Sequence, residues 1–500
     1  MYSNTNNTAR ILCSCLCLKP SWCQVLKDVQ SKSTFVRSIT YYRYPQCYKT
    51  GYGKGIQARV KASISEEEEE YLHKNNLKPK DHSGVFRIPK LSLPDRFKEA
   101  VVKIVSHENI KTIAENSCYL RNYIWSRRLP MEDDQFRMKA EKIENETRRN
   151  DDVLLPFLSE EEAARVKQRR DNTILTRLRE SVYHWEPIRF TRLKGLEYIL
   201  ARSSGEYAAM CRIFNEISKR DKEFQPKTLC DFGSGVGTVS WAARSFWASS
   251  LVEHLCADVS WEMNELAELI LRGGNKNNDH AIPALFFRQH LPESYKIRYD
   301  LVVSAFSLME LPSARERLQT IDKLWNKTEE YLVIVESGTR AGFRAIIEAR
   351  DYILGLGSKS QRPKNCFVFS PCPHNMECPK FAYDTIPCNF LVKSRPIYPF
   401  HEDGSINDSF CYVVIRRGPN LNPDEAKWPR LVEDPKIRPR HVICRMCTKE
   451  GKISETVLTR AKHSQSMRLI AKRSVAGDML PIHLQDNADN VDSGDTDVHN

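Results

Sequence analysis

Two sets of residues in this 500-residue chain have types and spacings that could do chemistry. One is Asp231-Phe-Gly-Ser-Gly-Val-Gly237, between the short apolar run TLCDF and the helix-like TVSWAARSFWASS. Glycines at a strand-to-helix turn permit a tight bend and let a ligand approach the backbone, where the first N–H groups of the helix are free. The next apolar run, EHLCADV, carries Asp258 at its end, where a carboxylate can take both hydroxyls of a ribose, as either NAD or S-adenosylmethionine requires. The other set is Cys372, Cys378, Cys388 and Cys444, in SPCPHNMECP, IPCNF and RHVICRMC. These thiols stand among prolines and basic residues rather than in an apolar helix, so packing explains them poorly. Thiolates bind soft metals, and four of them commonly hold an iron–sulfur cluster. A zinc site on Cys372, Cys378, Cys444 and Cys447 fits the same residue types, because Cys444-x2-Cys447 has a zinc-knuckle spacing. His374 and His441 read as surface or supporting residues.

The elements that must position these residues follow from the period of the apolar positions. From about Pro94 to Lys222 apolar residues recur every three or four positions, which predicts an α-helical N-terminal domain over residues 66–222. From Lys227 the rhythm changes to strand, turn, helix and strand, through TLCDF, EHLCADV, ALFFRQ, DLVVSAF and EYLVIVE. Alternation of this kind predicts a doubly wound α/β sheet, here over residues 223–420. Residues 358–405 break the rhythm and are rich in Pro, Cys and Asn, and FCYVVIRR then restores a strand. The cysteines therefore read as an insertion late in the sheet, completed by a basic C-terminal segment over residues 421–475.

Charge is unevenly placed. Residues 1–65 hold ten Lys/Arg against the single acid Asp28, out of a formal net charge of +12. A Ser/Thr/Tyr-rich, acid-poor, basic start is the composition of a mitochondrial transit peptide, and its removal would take five cysteines with it. Residues 436–473 carry eleven Lys/Arg against Glu450 and Glu455. The tail, residues 476–500, is acidic and expected to be disordered. No window reaches the apolar run of about 18 residues that spans a bilayer, so no membrane partner is expected. A chain this long without a secretory signal has no need of disulfide staples.

The D-x-G-x-G-x-G spacing resembles motif I of class I S-adenosylmethionine methyltransferases. That likeness implies Asp231 facing the methionine end of S-adenosylmethionine, Gly233, Gly235 and Gly237 passing beneath it, and Asp258 on its ribose. Ser304 opens the stretch, Ser304-Ala305-Phe306-Ser307, where base N-methyltransferases carry an acid or Asn before Pro-Pro and an aromatic. Neither that signature nor a Pro-Cys nucleophile is present, so the catalytic residues stay unassigned. Glu310 reads either as a base or as a capping residue.

Across residues 195–450 the chain resembles the methyltransferase-like protein 17 family of mitochondrial small-ribosomal-subunit assembly factors. LARSSGEYAAM, DFGSGVGT, DLVVSAFSLMELP, IVESGTRAGF, SPCPHNMECP, FCYVVIRRG and RPRHVICRMC carry the match, in order and spacing. The resemblance implies a class I S-adenosylmethionine methyltransferase-like fold with an inserted cysteine cluster. It implies a [4Fe-4S] cluster on Cys372, Cys378, Cys388 and Cys444, with Cys447 outside the ligand set. It further implies a monomer in the mitochondrial matrix that binds the rRNA and proteins of the small subunit and supports mitochondrial translation, with weak or no catalysis. An active rRNA methyltransferase is the alternative. Radical chemistry is disfavoured, because it needs a cluster on three closely spaced cysteines with one iron open.

Overall fold

The structure, a computed structural model, describes residues 61–64, 66–74, 78–151, 157–181, 185–294, 296–355, 365–383, 386–397, 404–419 and 428–485. The expected transit peptide, apart from its last few residues, and the tail beyond Gln485 lie outside these. The chain divides into two compact units. In the first, α4 (Asp133–Asp151) and α5 (Glu160–Ser181) pack through Ile143, Ile174 and Leu178. Glu132 ties the segment 311–317 to this unit, accepting from the Ala314 N–H at 2.9 Å and pairing with Arg317 at 3.5 Å.

The larger unit is built on one sheet. Its strands are β2 (Thr228–Phe232), β3 (Glu253–Ala257), β4 (Leu285–Arg288), β5 (Tyr299–Ala305), β6 (Thr328–Ser337), β7 (Cys366–Ser370), β8 (Phe390–Ser394) and β9 (Ile406–Arg417). The order is β4-β3-β2-β5-β6-β9-β7, with β8 also on β9; the first five strands are parallel and β9 is antiparallel to β6. This is the doubly wound architecture expected. The parallel strands read as continuous apolar runs because helices cover both faces. Those connecting them include α7 (Thr238–Trp247), α8 (Trp261–Leu271), α9 (Ala314–Lys327) and α10 (Arg340–Leu354).

The N-terminal helices do not form one separate domain. Helices α2 (Asp95–Val105), α3 (Ile110–Ser126) and α6 (Arg192–Arg220) share the core of the sheet, through Phe97, Ile113, Leu196, Ile213 and Phe214. Helix α6 is buried along nearly its whole length, from Gly195 to Ile217. A helix buried all round needs small residues where neighbours press in. At Gly205 a Cβ would sit 2.1 Å from the Asp408 carboxylate of β9, so only glycine lets the helix lie there.

Two expected boundaries move. Strand β1 (Lys61–Ile64) pairs antiparallel with β14 (Ile482–Gln485), so residues placed in the transit peptide and in the disordered tail are both structured. Together with α1 (Glu66–Lys74) they join a C-terminal lobe of β10 (Arg430–Leu431), β11 (Lys436–Ile437), β12 (His441–Cys447), β13 (Ile453–Thr459) and, after the short α11 (Pro379–Tyr383) of the sheet region, α12 (Gln465–Arg473). Leu431, Val442, Met446, Leu458, Met467, Ile470 and Ile482 form its core. His82 fastens the N-terminal segment to it, with Nε2 2.9 Å from Ser474 Oγ.

The insertion is narrower than residues 358–405. Ser370 of β7 lies opposite Val414 and Phe390 of β8 opposite Phe410, so β7 and β8 run end to end along β9. Between these two strands the described residues 371–383 and 386–389 leave the sheet, in an excursion that carries Cys372, Cys378 and Cys388.

Candidate functional site

At the end of β2, Asp231 is fully buried and neither carboxylate oxygen has a hydrogen-bond partner among the described residues. Burial, with the charges of Asp258 and Glu206 beside it, pushes this carboxyl well above the usual range. The glycines that follow all have positive φ, +69° at Gly233, +50° at Gly235 and +78° at Gly237. A Cβ on Gly233 would lie 2.1 Å from Ser307 Oγ, so the turn closes there only without a side chain. Asp258 accepts from the Gly235 N–H through Oδ2 and from the Ser260 N–H through Oδ1, both at 2.9 Å, and so braces the turn across β2 and β3. Ser304 lies beside Phe232 in register. Its hydroxyl and that of Ser234 are buried without partners among the described residues. Unpaired buried polar groups cost free energy. Asp231, Ser234 and Ser304 around an open glycine turn are what a polar ligand with an ammonium group and hydroxyls would satisfy, and S-adenosylmethionine has both.

The segment after β5 is differently furnished. Phe306 has φ +57°, and the Arg202 guanidinium lies 4.8 Å above its ring. Arg202 pairs in turn with Glu206 at 3.6 Å and with Asp408 at 3.9 Å, and Tyr198 donates to Glu206. Glu310 is held by Arg127 and by the Ile188 N–H at 3.2 Å, which makes it a structural acceptor rather than a free base. Glu336, unremarked in the sequence, accepts from the Leu308 N–H at 2.7 Å, and burial pushes its carboxyl up to about 8.

The thiols fall into two places. Burial pushes Cys378 up to about 12, with Cys372 adding to it. Burial also raises Cys388, with contributions from Cys378 and Cys372, and Cys447, with contributions from Cys372, Cys388 and Cys378. These four therefore sit within each other's electrostatic reach. Cys444 does not belong to the group. It is fully buried among Leu431, Val442, Met446 and Met467, and burial alone raises it to about 12. The reason is strand geometry: residues three apart on β12 point to opposite faces, so Cys444 turns into the lobe's core and Cys447 out of it. Buried cations lie within electrostatic reach of these thiols. Arg350 donates to the carbonyls of His374, at 3.2 Å, and of Met376, while Lys380 and Arg430 are each 3 % exposed. His374 Nε2 is 3.3 Å from Cys447 Sγ, and burial followed by Arg350 lowers this imidazole to about 4. Among the described residues no group of three or more His, Cys, Asp and Glu could hold a metal ion as the side chains stand.

Residues 192–481 match the family model described as mitochondrial small ribosomal subunit Rsm22. The chain belongs to this Rsm22 family. A relative in Homo sapiens, "Ribosome assembly protein METTL17, mitochondrial", is 36 % identical over 438 residues, covering 86 % of this chain and 93 % of its own. The Rsm22-cox11 tandem protein 2, mitochondrial, of Schizosaccharomyces pombe is 26 % identical over 228 residues, 38 % of this chain and 30 % of its own. Solved structures similar in fold include an S-adenosylmethionine-dependent methyltransferase from Aquifex aeolicus, with TM-score 0.28, 11 % identity, and coverage of 45 % of this chain and 99 % of that one. A ribosomal protein L11 methylase from Lactobacillus delbrueckii has TM-score 0.23, 13 % identity, and coverage of 42 % and 77 %. The span matched to the Rsm22 family contains the glycine turn, the excursion and Cys447 alike.

Proposed function

We propose that this Rsm22-family chain is an assembly factor for the mitochondrial small ribosomal subunit, working in the matrix as a monomer. The observation that carries the reading is the likeness to a protein named for mitochondrial ribosome assembly over 93 % of that protein's length. In this reading the methyltransferase-like fold serves to bind rRNA and ribosomal proteins. Asp231 and Ser304 would hold the amino-acid end of S-adenosylmethionine, Gly233, Gly235 and Gly237 would let it approach the backbone, and Asp258 would serve the ribose side. When bound, S-adenosylmethionine supplies a transferable methyl group. What argues against transfer is the segment after β5, where Glu310 and Glu336 are already engaged and Arg202 covers Phe306.

The thiol site takes a [4Fe-4S] cluster on Cys372, Cys378, Cys388 and Cys447. The support is the donor chemistry, four thiols within electrostatic reach of one another and of the buried cations Arg350, Lys380 and Arg430. When bound, such a cluster would be held by thiolates of the excursion and of β12, which would make folding of this region depend on iron–sulfur supply. Cations beside the thiols favour the deprotonated ligands that such a cluster requires.

The test is complementation in cells lacking the protein. Wild-type and Asp231→Asn chains are expressed from the same promoter, and small-subunit assembly and rRNA methylation are measured together. Restored assembly by both, with methylation unchanged, supports the binding reading. Loss of one rRNA methyl group while the variant still binds precursor subunits would establish the methyltransferase alternative.

A further inference from the structure

The basic segment 436–473 does not form one face. Strand pairing distributes its charges to two ends of the C-terminal lobe. The turn between β11 and β12 is closed by the Arg438 N–H donating to the His441 carbonyl at 2.9 Å. The turn after β13 is closed on itself by His463, whose N–H donates to the Thr459 carbonyl at 3.2 Å and whose Nδ1 accepts from the Thr459 N–H at 3.1 Å. Because His441 lies opposite Thr459, these two turns stand side by side at one end of the sheet. They present Arg438, Arg440, Arg460 and Lys462, all exposed, and neither KIRPRH nor TRAKH contains an acid. Helix α12 starts immediately afterwards, capped by Ser464, so the positive end of its dipole is directed at the same place.

Two further basic residues of the lobe are engaged in ion pairs. Arg445 is bound to Glu433 at 2.6 Å and Arg430 is buried on Glu216. Lys449 and Lys452 follow the far end of β12, about 20 Å away at the rise of an extended strand. Two exposed apolar side chains, Ile437 and Val457, flank the charged turns.

We propose that these paired turns are the part of the chain that grips the RNA backbone, with Arg438, Arg440, Arg460 and Lys462 on phosphates. The inference rests on the assembly-factor reading. Four exposed cations on two closed turns, with no acid in either turn, fit a polyanion that is read by charge rather than by sequence. An acidic protein partner would meet the same charge, but Ile437 and Val457, the exposed large apolar side chains of these strands among the described residues, offer it a small apolar platform.

The test uses the full chain and a fluorescently labelled transcript of small-subunit rRNA, with affinity measured by anisotropy across a salt series. R438E/R440E and R460E/K462E are each expected to weaken binding roughly tenfold or more and to flatten the salt dependence by about 0.7 to 0.9 for each phosphate left unneutralised. K449E/K452E, at the opposite end, is expected to bind as the wild type does. Equal losses at both ends, or none at the turns, would overturn the assignment. If the turn variants bind RNA normally yet still co-sediment with precursor subunits, this surface is wrong and the assembly reading stands.

Discussion

Glu216 of α6 and Arg430 of β10 are 214 residues apart in sequence and form an ion pair buried on both sides, with Nη1 3.2 Å from Oε2. Arg212 and Arg220 reach the same carboxylate at 3.0 and 3.1 Å, Tyr412 donates to it, and so does Ser370, two residues before Cys372. One acid thus joins the helix in front of the sheet, the root of the thiol excursion and the C-terminal lobe.

Removing Arg430 leaves the buried Glu216 carboxylate only partly compensated, by Arg212 and Arg220. With those partners remaining, Arg430→Met should lower unfolding free energy by about 1–3 kcal/mol, and Arg430→Met with Glu216→Leu by less than the two single changes summed. Burial alone would raise the Glu216 carboxyl, but Arg430, Arg212 and Arg220 overcome it and hold it well below the usual range. A depressed folded value contributes stability that is present above the unfolded value, near 4.5, and is lost as pH falls below it. Chemical denaturation of the variants between pH 3 and 7 reads both effects.

Asp231 should respond in the opposite sense. Its folded carboxyl is raised, so the ligand-free protein binds more protons folded than unfolded and loses stability as pH rises above about 4. Asp231→Asn should remove that loss, raising the melting temperature of the ligand-free protein at pH 8. The same change should weaken S-adenosylmethionine by about 1.5–3 kcal/mol, roughly ten- to a hundredfold, because a charge-assisted hydrogen bond is lost. Thermal melts and titration calorimetry on one preparation separate the two. A variant with unchanged affinity would remove Asp231 from the ligand site.

Most of the sheet is legible because its strands are short apolar runs set off by helical periods, and Asp231, Gly233, Gly235 and Gly237 lie in the turn where the spacing puts them. What stays hidden is non-local. Nothing in KASI announces that it pairs with IHLQ more than 400 residues later, and the acidic composition around the latter masks a short apolar strand. Helix α6 reads as part of a helical domain because periodicity reports that a helix exists but not which surface buries it. The choice of Cys444 over Cys447 is different, since the signal is present. In HVICRMC the alternating Val442, Cys444 and Met446 read as one apolar face, leaving Cys447 on the other.

The N-terminal segment offers a pH test of the lobe. Burial, and then the charge of Arg87, lowers His82 to about 3. A histidine neutral when folded and charged when unfolded costs stability as pH falls through its unfolded value near 6.5. The loss should reach about 3 kcal/mol by pH 4, in proportion to the drop in its pKa. His82→Gln should flatten this dependence, read by hydrogen exchange at the β1 and β14 amides, whose pairing depends on the same segment. An unchanged slope would assign the acid sensitivity to other groups.

The two cysteines of β12 give the sharpest separation. Cys444→Ala trims a side chain inside the lobe's apolar core, so it should cost about 1 kcal/mol of stability through a small cavity and leave the metal content intact. Cys447→Ser changes volume little but removes a thiol within electrostatic reach of Cys372, Cys378 and Cys388, so anaerobically purified protein should lose most of its iron and its absorbance near about 400 nm. Wild-type protein should carry close to four irons per chain, as a four-cysteine cluster requires. Iron lost from Cys444→Ala and kept in Cys447→Ser would reverse the assignment, and zinc without iron in the wild type would replace the cluster with a different metal. The strand's alternation is what makes the prediction one-sided: no rotation of β12 can turn both side chains to the excursion while keeping Val442 and Met446 in the core.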